Sequence, residues 1–139
     1  GHPIACSAAL AVQNVIESEN ILENVRKQGA HLGLKGPNAL AAPYTFDIRG
    51  GGGFWGIEFD FTNASNLDFG ETAFAFRVQA RALELGLIII GMTGGSNLEG
   101  TKGDHIILAP AYNITKEQIE TIADILVQSI EEILKEATV

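Results

Sequence analysis

Residues Asp47–Phe59 read "DIRGGGGFWGIEF", four successive glycines between two runs of strand-like residues. A phosphate-binding loop needs a strand, then glycines, then a helix whose amide groups point at the anion. Here the glycines are followed by "FWGIEFDF", no Gly-Lys-Ser/Thr comes after them, and the order of a dinucleotide fingerprint is missing. Gly50–Gly53 therefore read as a bend that supplies positive φ at a turn or bulge, or lets another chain approach closely. Chemistry has to be sought outside the run.

On both sides of the bend the apolar period is two. Tyr44, Phe46 and Ile48 alternate with Thr45, Asp47 and Arg49; Trp55, Ile57, Phe59 and Phe61 alternate with Gly56, Glu58 and Asp60. That predicts a hairpin over 44–61 with one apolar and one polar face. Upstream, Ile4, Ala8, Ala11/Val12 and Val15/Ile16 form a helical stripe, with Pro3 suited to its first turn. Asn20 with Glu23 has the spacing of a capping box, and Ile21/Leu22, Val25 and Leu32 continue the face: two helices, or one long bent one. "GLKGPNALAAP", Gly33–Pro43, reads as a loop.

Downstream, "TNASNLD" reads as a loop; Phe74, Val78, Ala82 and Leu85 mark a third helix that Gly86 stops. Leu87–Ile90 read as a short buried strand, and Gly91–Asp104 as a fourteen-residue loop, long enough to be a functional or interface loop. His105–Ala109 read as the last strand. Thr115 with Gln118 then caps a long amphipathic helix carrying Ile119, Ile122/Ala123, Leu126, Ile130 and Ile133/Leu134. The order α-α-β-β-α-β-β-α makes this an α+β domain. A small, largely antiparallel sheet (hairpin 44–61, strands 87–90 and 105–109) packs against helices on one face.

At 139 residues the chain fits one domain, 1–139, and is long enough to bury a core. It is 46% hydrophobic and 19% charged, a globular balance. A formal charge of −8 argues against nucleic acid and against anionic membranes as partners. The longest aliphatic run, Leu87–Ile90, is too short to span a bilayer. Cys6, the only cysteine, permits no internal disulfide, fits a reducing compartment, and in "ACSAALA" reads as a small buried apolar residue. The first residues already read as a helix start, so the sequence is expected to begin mid-protein.

Candidate chemistry is sparse. His2, His31 and His105 lie far apart with no metal-ligand spacing, and Ser7 has no nucleophile-elbow context. Glu58 and Asp60 share the polar strand face without the marks of a catalytic pair. Arg49, just before the bend, could hold a carboxylate or lock the loop through a local salt bridge, and the second reading is favoured. The lysines Lys27, Lys35, Lys102, Lys116 and Lys135 fall on polar helix faces, in loops or near the tail, away from apolar surroundings that suit a Schiff-base amine. The residues alone describe a small α+β domain with no self-contained active site.

Four colinear segments nevertheless resemble one family. "GHPIACSAALAVQNVIESENILENV", "DIRGGGGFWGIEF", "ALELGLII" and "GDHIILAPAYNITKEQIE" are similar to the C-terminal part of class III, fold-type I aminotransferases, over Gly1 to about Ile133. The resemblance implies a pyridoxal 5′-phosphate enzyme moving an amino group from an amino donor to a keto acid, working as a homodimer. It implies that the Schiff-base lysine and the other cofactor contacts lie upstream, in a large domain of the same polypeptide. This chain would then be the small domain, helping to close the site and select the substrate, inactive alone and not holding the cofactor stably.

At the substrate wall the family often places an arginine or tyrosine where this sequence has Ile107. Another polar contact often falls where it has Ile90 and Gly91, and these departures speak against an ornithine- or GABA-like substrate. Arg49 matches the family's arginine before the glycines. The expected compartment is the cytoplasm, with the mitochondrion as the alternative, since any targeting signal would sit upstream of these residues. The rival expectation is a stand-alone ferredoxin-like or ACT-like ligand-binding or dimerisation module, which predicts a βαββαβ repeat.

Overall fold

A computed structural model describes residues 1–39, 44–100 and 102–139, the side chains of 34–39 excepted. The elements run α1 (Pro3–Ser18), α2 (Ile21–Ala39), β1 (Thr45–Gly51), β2 (Phe54–Phe59), α3 (Phe74–Glu84), β3 (Ile90–Met92), β4 (His105–Leu108) and α4 (Lys116–Ala137). The strands form one antiparallel sheet in the order β1-β2-β4-β3. The order of elements is the expected one, and it contains no βαββαβ repeat among the described residues.

The glycine run is the hairpin bend. Gly51 pairs with Phe54, leaving Gly52-Gly53 as a two-residue turn, with Gly52 at φ 55° in the left-handed region. The turn is also a packing surface. α2 crosses it so closely that a Cβ on Gly29 would meet the backbone of Gly52, and the Trp55 indole N–H donates to Gly52 O at 3.0 Å. The segment that approaches the glycines is thus a helix of the same chain.

The core lies between one sheet face and α2, α3 and α4. Ile57 and Phe59 of β2, Ile106 and Leu108 of β4, Phe74 and Val78 of α3, and Ile119, Leu126 and Ile130 of α4 are all buried. Phe74 meets Phe59, Phe61 and Phe69 edge-on or tilted at its end, Phe61 lies nearly parallel to Phe59, and the Phe61 and Phe74 centroids are 4.8 Å apart. α4 starts at the expected capping box: Gln118 N–H donates to Thr115 Oγ1 at 3.3 Å, and Thr115 N–H to Gln118 Oε1 at 2.9 Å. α3 and α4 are clamped by Arg81, whose Nη1 lies 2.6 Å from Glu132 Oε2 and Nη2 2.7 Å from Glu136 Oε1.

Five local expectations are corrected. Gly33–Ala39 continue α2 rather than opening a loop, because Leu32 is buried and a bare Gly33 rests on the Trp55 ring; the rest of that loop, 40–43, lies outside the described residues. At the α1–α2 joint Asn20 sits at φ 51° with its N–H bonded to Glu17 O. It closes α1 through its backbone, and no capping box with Glu23 forms. The third strand is Ile90–Met92, not 87–90. Leu87 N–H is still held by Ala82 O at 2.8 Å, closing α3, so pairing begins only three residues later. Within Leu87–Ile90 only Ile89 is buried. The last strand ends at Leu108, one residue before Ala109. Cys6 is exposed, not buried, because α1 is open to solvent along its length, with Ile16 its one partly buried residue.

Candidate functional site

Strand register gathers three of the four candidate residues on the sheet face that the helices leave open. Arg49 lies opposite Gly56, Gly56 opposite Ile107, and Ile107 opposite Ile90, one continuous cross-strand row. Successive residues of a strand point to opposite faces, so with Ile57, Ile106 and Leu108 turned to the core this row must point away from it. Ile90 is accordingly half exposed. Gly91, the fourth candidate, points the other way. It is buried where a Cβ would meet the Ala75 carbonyl of α3, and its N–H donates to Gln79 Oε1 at 2.7 Å. Its lack of a side chain lets β3 reach α3.

Beside that row runs a second, Asp47–Glu58–His105–Met92. Arg49 Nη1 donates to Asp47 Oδ2 at 2.8 Å and to Glu58 Oε2 at 2.7 Å, and these two hydrogen bonds, Asp47 first, hold its pKa above the usual arginine value. Glu58 uses its other oxygen to accept from Ser96 Oγ at 3.2 Å, which anchors the long loop before β4 to the open face. His105 Nδ1 lies 2.7 Å from Gly103 O, a carbonyl that can only accept, so Nδ1 carries the proton. Chemically, the row offers one arginine already matched by two carboxylates, then apolar surface. That first row, Arg49 to Ile90, can shape and orient a neighbour, while in the second row His105 keeps Nε2 as its unprotonated ring nitrogen.

Two grooves flank the sheet. One, of about 670 Å³, lies between the α1–α2 joint, the glycine turn and the segment after β4, bounded by Ile16, Leu22, Phe54, Ala109 and Tyr112. The other, of about 500 Å³, has an aromatic floor at Phe61 and Phe69 with Lys102, Asp60 and Asp104 on its rim. Asp104 Oδ2 accepts from Ala75 N–H at 3.3 Å and so caps α3, whose own N-cap residue, Ala73, has no side chain to do it. Asn24 fastens α2 to the segment after β4 by donating to Tyr112 O at 2.8 Å and Ile114 O at 3.0 Å. Neither role was visible beforehand, since each joins residues dozens apart and leaves no local spacing.

The profile of the family described as Aminotransferase class-III matches residues 1–130. The chain belongs to the class III aminotransferase family. An uncharacterized aminotransferase of Schizosaccharomyces pombe is 36% identical over 132 residues, covering 93% of this chain and 28% of its own length. An acetylornithine aminotransferase of Methanosarcina acetivorans is 32% identical, covering 93% of this chain and 27% of its own. Among solved structures, a transaminase from a directed-evolution study by ancestral reconstruction superposes with a TM-score of 0.81 at 28% identity over 98% of this chain and 28% of its own. A Bacillus anthracis aminotransferase does so with a TM-score of 0.77 at 28% identity over 94% and 28%. The class III chain described here thus spans little more than a quarter of the length of these relatives.

Class III aminotransferases depend on pyridoxal phosphate. Among the described residues, the amines that could anchor that group stand open to solvent. Lys27, Lys102, Lys116 and Lys135 are all exposed, none with the enclosure that a Schiff-base amine requires, and the side chain of Lys35 lies outside the description. Among the described residues no group of three or more His, Cys, Asp or Glu gathers as metal ligands, and no helix is long and apolar enough to cross a membrane.

Proposed function

We propose that residues 1–139 are the C-terminal small domain of a pyridoxal-phosphate-dependent class III aminotransferase of fold type I, whose large domain lies elsewhere in the same polypeptide. In this reading the whole protein, a homodimer, passes an amino group from an amino acid or ω-amine to a keto acid. The cofactor supplies the electron sink for that transfer, and its lysine anchor belongs to the large domain. The observation that carries the reading is a family match over residues 1–130 on a chain whose described lysines are all exposed.

This domain's own contribution is a wall. The sheet register puts Ile107 and Ile90 side by side, and an apolar pair there excludes water and favours the uncharged part of a substrate. Arg49, held by Asp47 and Glu58, stiffens the wall beside the turn more than it offers a charge. Gly91 supports the wall from behind by letting β3 lie against α3.

The test uses the purified 139-residue chain, pyridoxal phosphate and borohydride. The expected result is no stoichiometric reduced adduct at any one lysine, and no turnover of an amino donor. A single lysine trapped at one equivalent would overturn the assignment of the anchor to another part of the polypeptide. Sequencing the coding region upstream of Gly1 should reveal a strand-borne lysine in the same frame; a start codon close to Gly1 would favour a stand-alone binding or dimerisation module.

A further inference from the structure

We infer that the aromatic-floored groove at the N-terminal end of α3 is a binding site for a free α-amino acid with an aromatic side chain. The groove, of about 500 Å³, is lined by Phe61 and Phe69 below and by Asp60, Lys102 and Asp104 at its edge. Arg49, Gly56, Ile107 and Ile90 take no part in it, so its occupancy is independent of the wall on the open sheet face and of the small-domain reading.

The floor is a product of core packing. Phe74 is buried, and Phe61 and Phe69 rest on it with centroids 4.8 and 5.2 Å away, themselves only partly covered. Their rings stand at 66° to one another. Two rings at such an angle can take the face or edge of a third, the geometry that aromatic groups favour.

The edge carries both signs of charge. Asp60 is held below the usual carboxylate range by its hydrogen bonds with Thr62 and, more weakly, by the charge of Lys102. Asp104 gives Oδ2 to the Ala75 N–H, 3.3 Å away, while Oδ1 accepts no hydrogen bond among the described residues. Lys102 is exposed and enters none of the ion pairs among the described residues.

A ligand that answers all three features brings a carboxylate for Lys102, an ammonium for the open oxygen of Asp104, and a ring for the floor. An aromatic α-amino acid has each of them within one small molecule. Phosphates and polyanions meet two carboxylates here, and an amine without a carboxylate leaves Lys102 unmatched. A divalent metal finds no group of three ligands among the described residues. The volume is that of a small-molecule site, apolar at its base with a few convergent polar groups.

The experiment titrates the ¹⁵N-labelled 139-residue chain with L-phenylalanine and follows its amide resonances by NMR. Glycine, phenethylamine and 3-phenylpropanoate serve as partial probes, each lacking one of the three contacts. Saturable shifts are expected at Phe61, Phe69, Gly103 and Asp104, with every partial probe at least about tenfold weaker than L-phenylalanine. Lys102→Met leaves every described ion pair in place and should weaken L-phenylalanine at least about tenfold without altering phenethylamine. No saturable shift up to about 10 mM L-phenylalanine would overturn the inference, as would shifts centred elsewhere on the chain. Phenethylamine or 3-phenylpropanoate binding as tightly as L-phenylalanine would overturn it too, reducing the groove to a site for one charge. An unchanged affinity in Lys102→Met has the same force. Binding is read without pyridoxal phosphate, so a failure here leaves the lysine-anchor assignment standing, and an adduct trapped by borohydride leaves the groove standing.

Discussion

Gly29 and Gly52 meet where α2 crosses the hairpin turn, and the contact depends on both lacking a side chain. Replacing Gly29 by alanine sets two effects against each other. Alanine is better in a helix by about 1 kcal/mol. Its Cβ, however, would overlap the carbonyl and Cα of Gly52, backbone that cannot swing aside as a side chain can. Overpacking of that kind costs about 1–3 kcal/mol, so Gly29→Ala is expected to destabilise the chain in a urea titration. A variant at least as stable as the parent would show that α2 and the turn are not in contact. The residues that chemistry singles out behave differently. Arg49 is already satisfied by Asp47 and Glu58, and Ile90 and Ile107 carry no reactive group. Arg49 was marked by its place before the bend and Ile90 and Ile107 by a family pattern, while their adjacency is a consequence of register.

The start of α4 was the most legible of the helix ends, because its cap is written within four residues, whereas the box expected at Asn20 and Glu23 did not form. Thr115 and Gln118 satisfy each other's backbone amides as their spacing suggested. Thr115→Ala removes one half of that exchange and should cost about 1 kcal/mol, seen as a lower urea midpoint with an unchanged slope. No loss would mean that solvent satisfies the first turn of α4 equally well. Helix ends and strand starts were less legible. α2 runs past Gly33 because Trp55, twenty-two residues later, accepts a glycine against its ring. β3 begins at Ile90 rather than Leu87 because the backbone is still closing α3. The cap of α3 comes from Asp104, across the sheet, where no local motif can point. α1 is helical by its own pattern and lacks the packing that a helix of that pattern normally finds.

At the scale of the whole molecule, charge ties together helices far apart in sequence. Glu132 is held below the usual carboxylate range, first by the Gln128 amide and, against a desolvation cost, by Arg81. The folded chain therefore keeps Glu132 ionised to lower pH than the unfolded chain does. The stabilisation is complete above the ordinary glutamate value of 4.5 and is lost as pH falls through the folded value. Arg81→Met should lower the melting temperature at neutral pH, and the gap to the parent should narrow as the pH falls below 4.5 and Glu132 takes up its proton. A gap independent of pH would mean that Arg81 acts through packing of its stem rather than its charge. What the sequence by itself determined about this protein is what local spacing can encode: the order of elements, the hairpin bend, the capping box of α4, and a family written in four colinear segments. Tertiary structure alone decided which faces close on one another, that Arg49, Ile107 and Ile90 share a row, that Gly91 looks inward, and that α1 stands uncovered. Each of those depends on contacts between residues far apart in the chain, whose energies add up only once the sheet has formed.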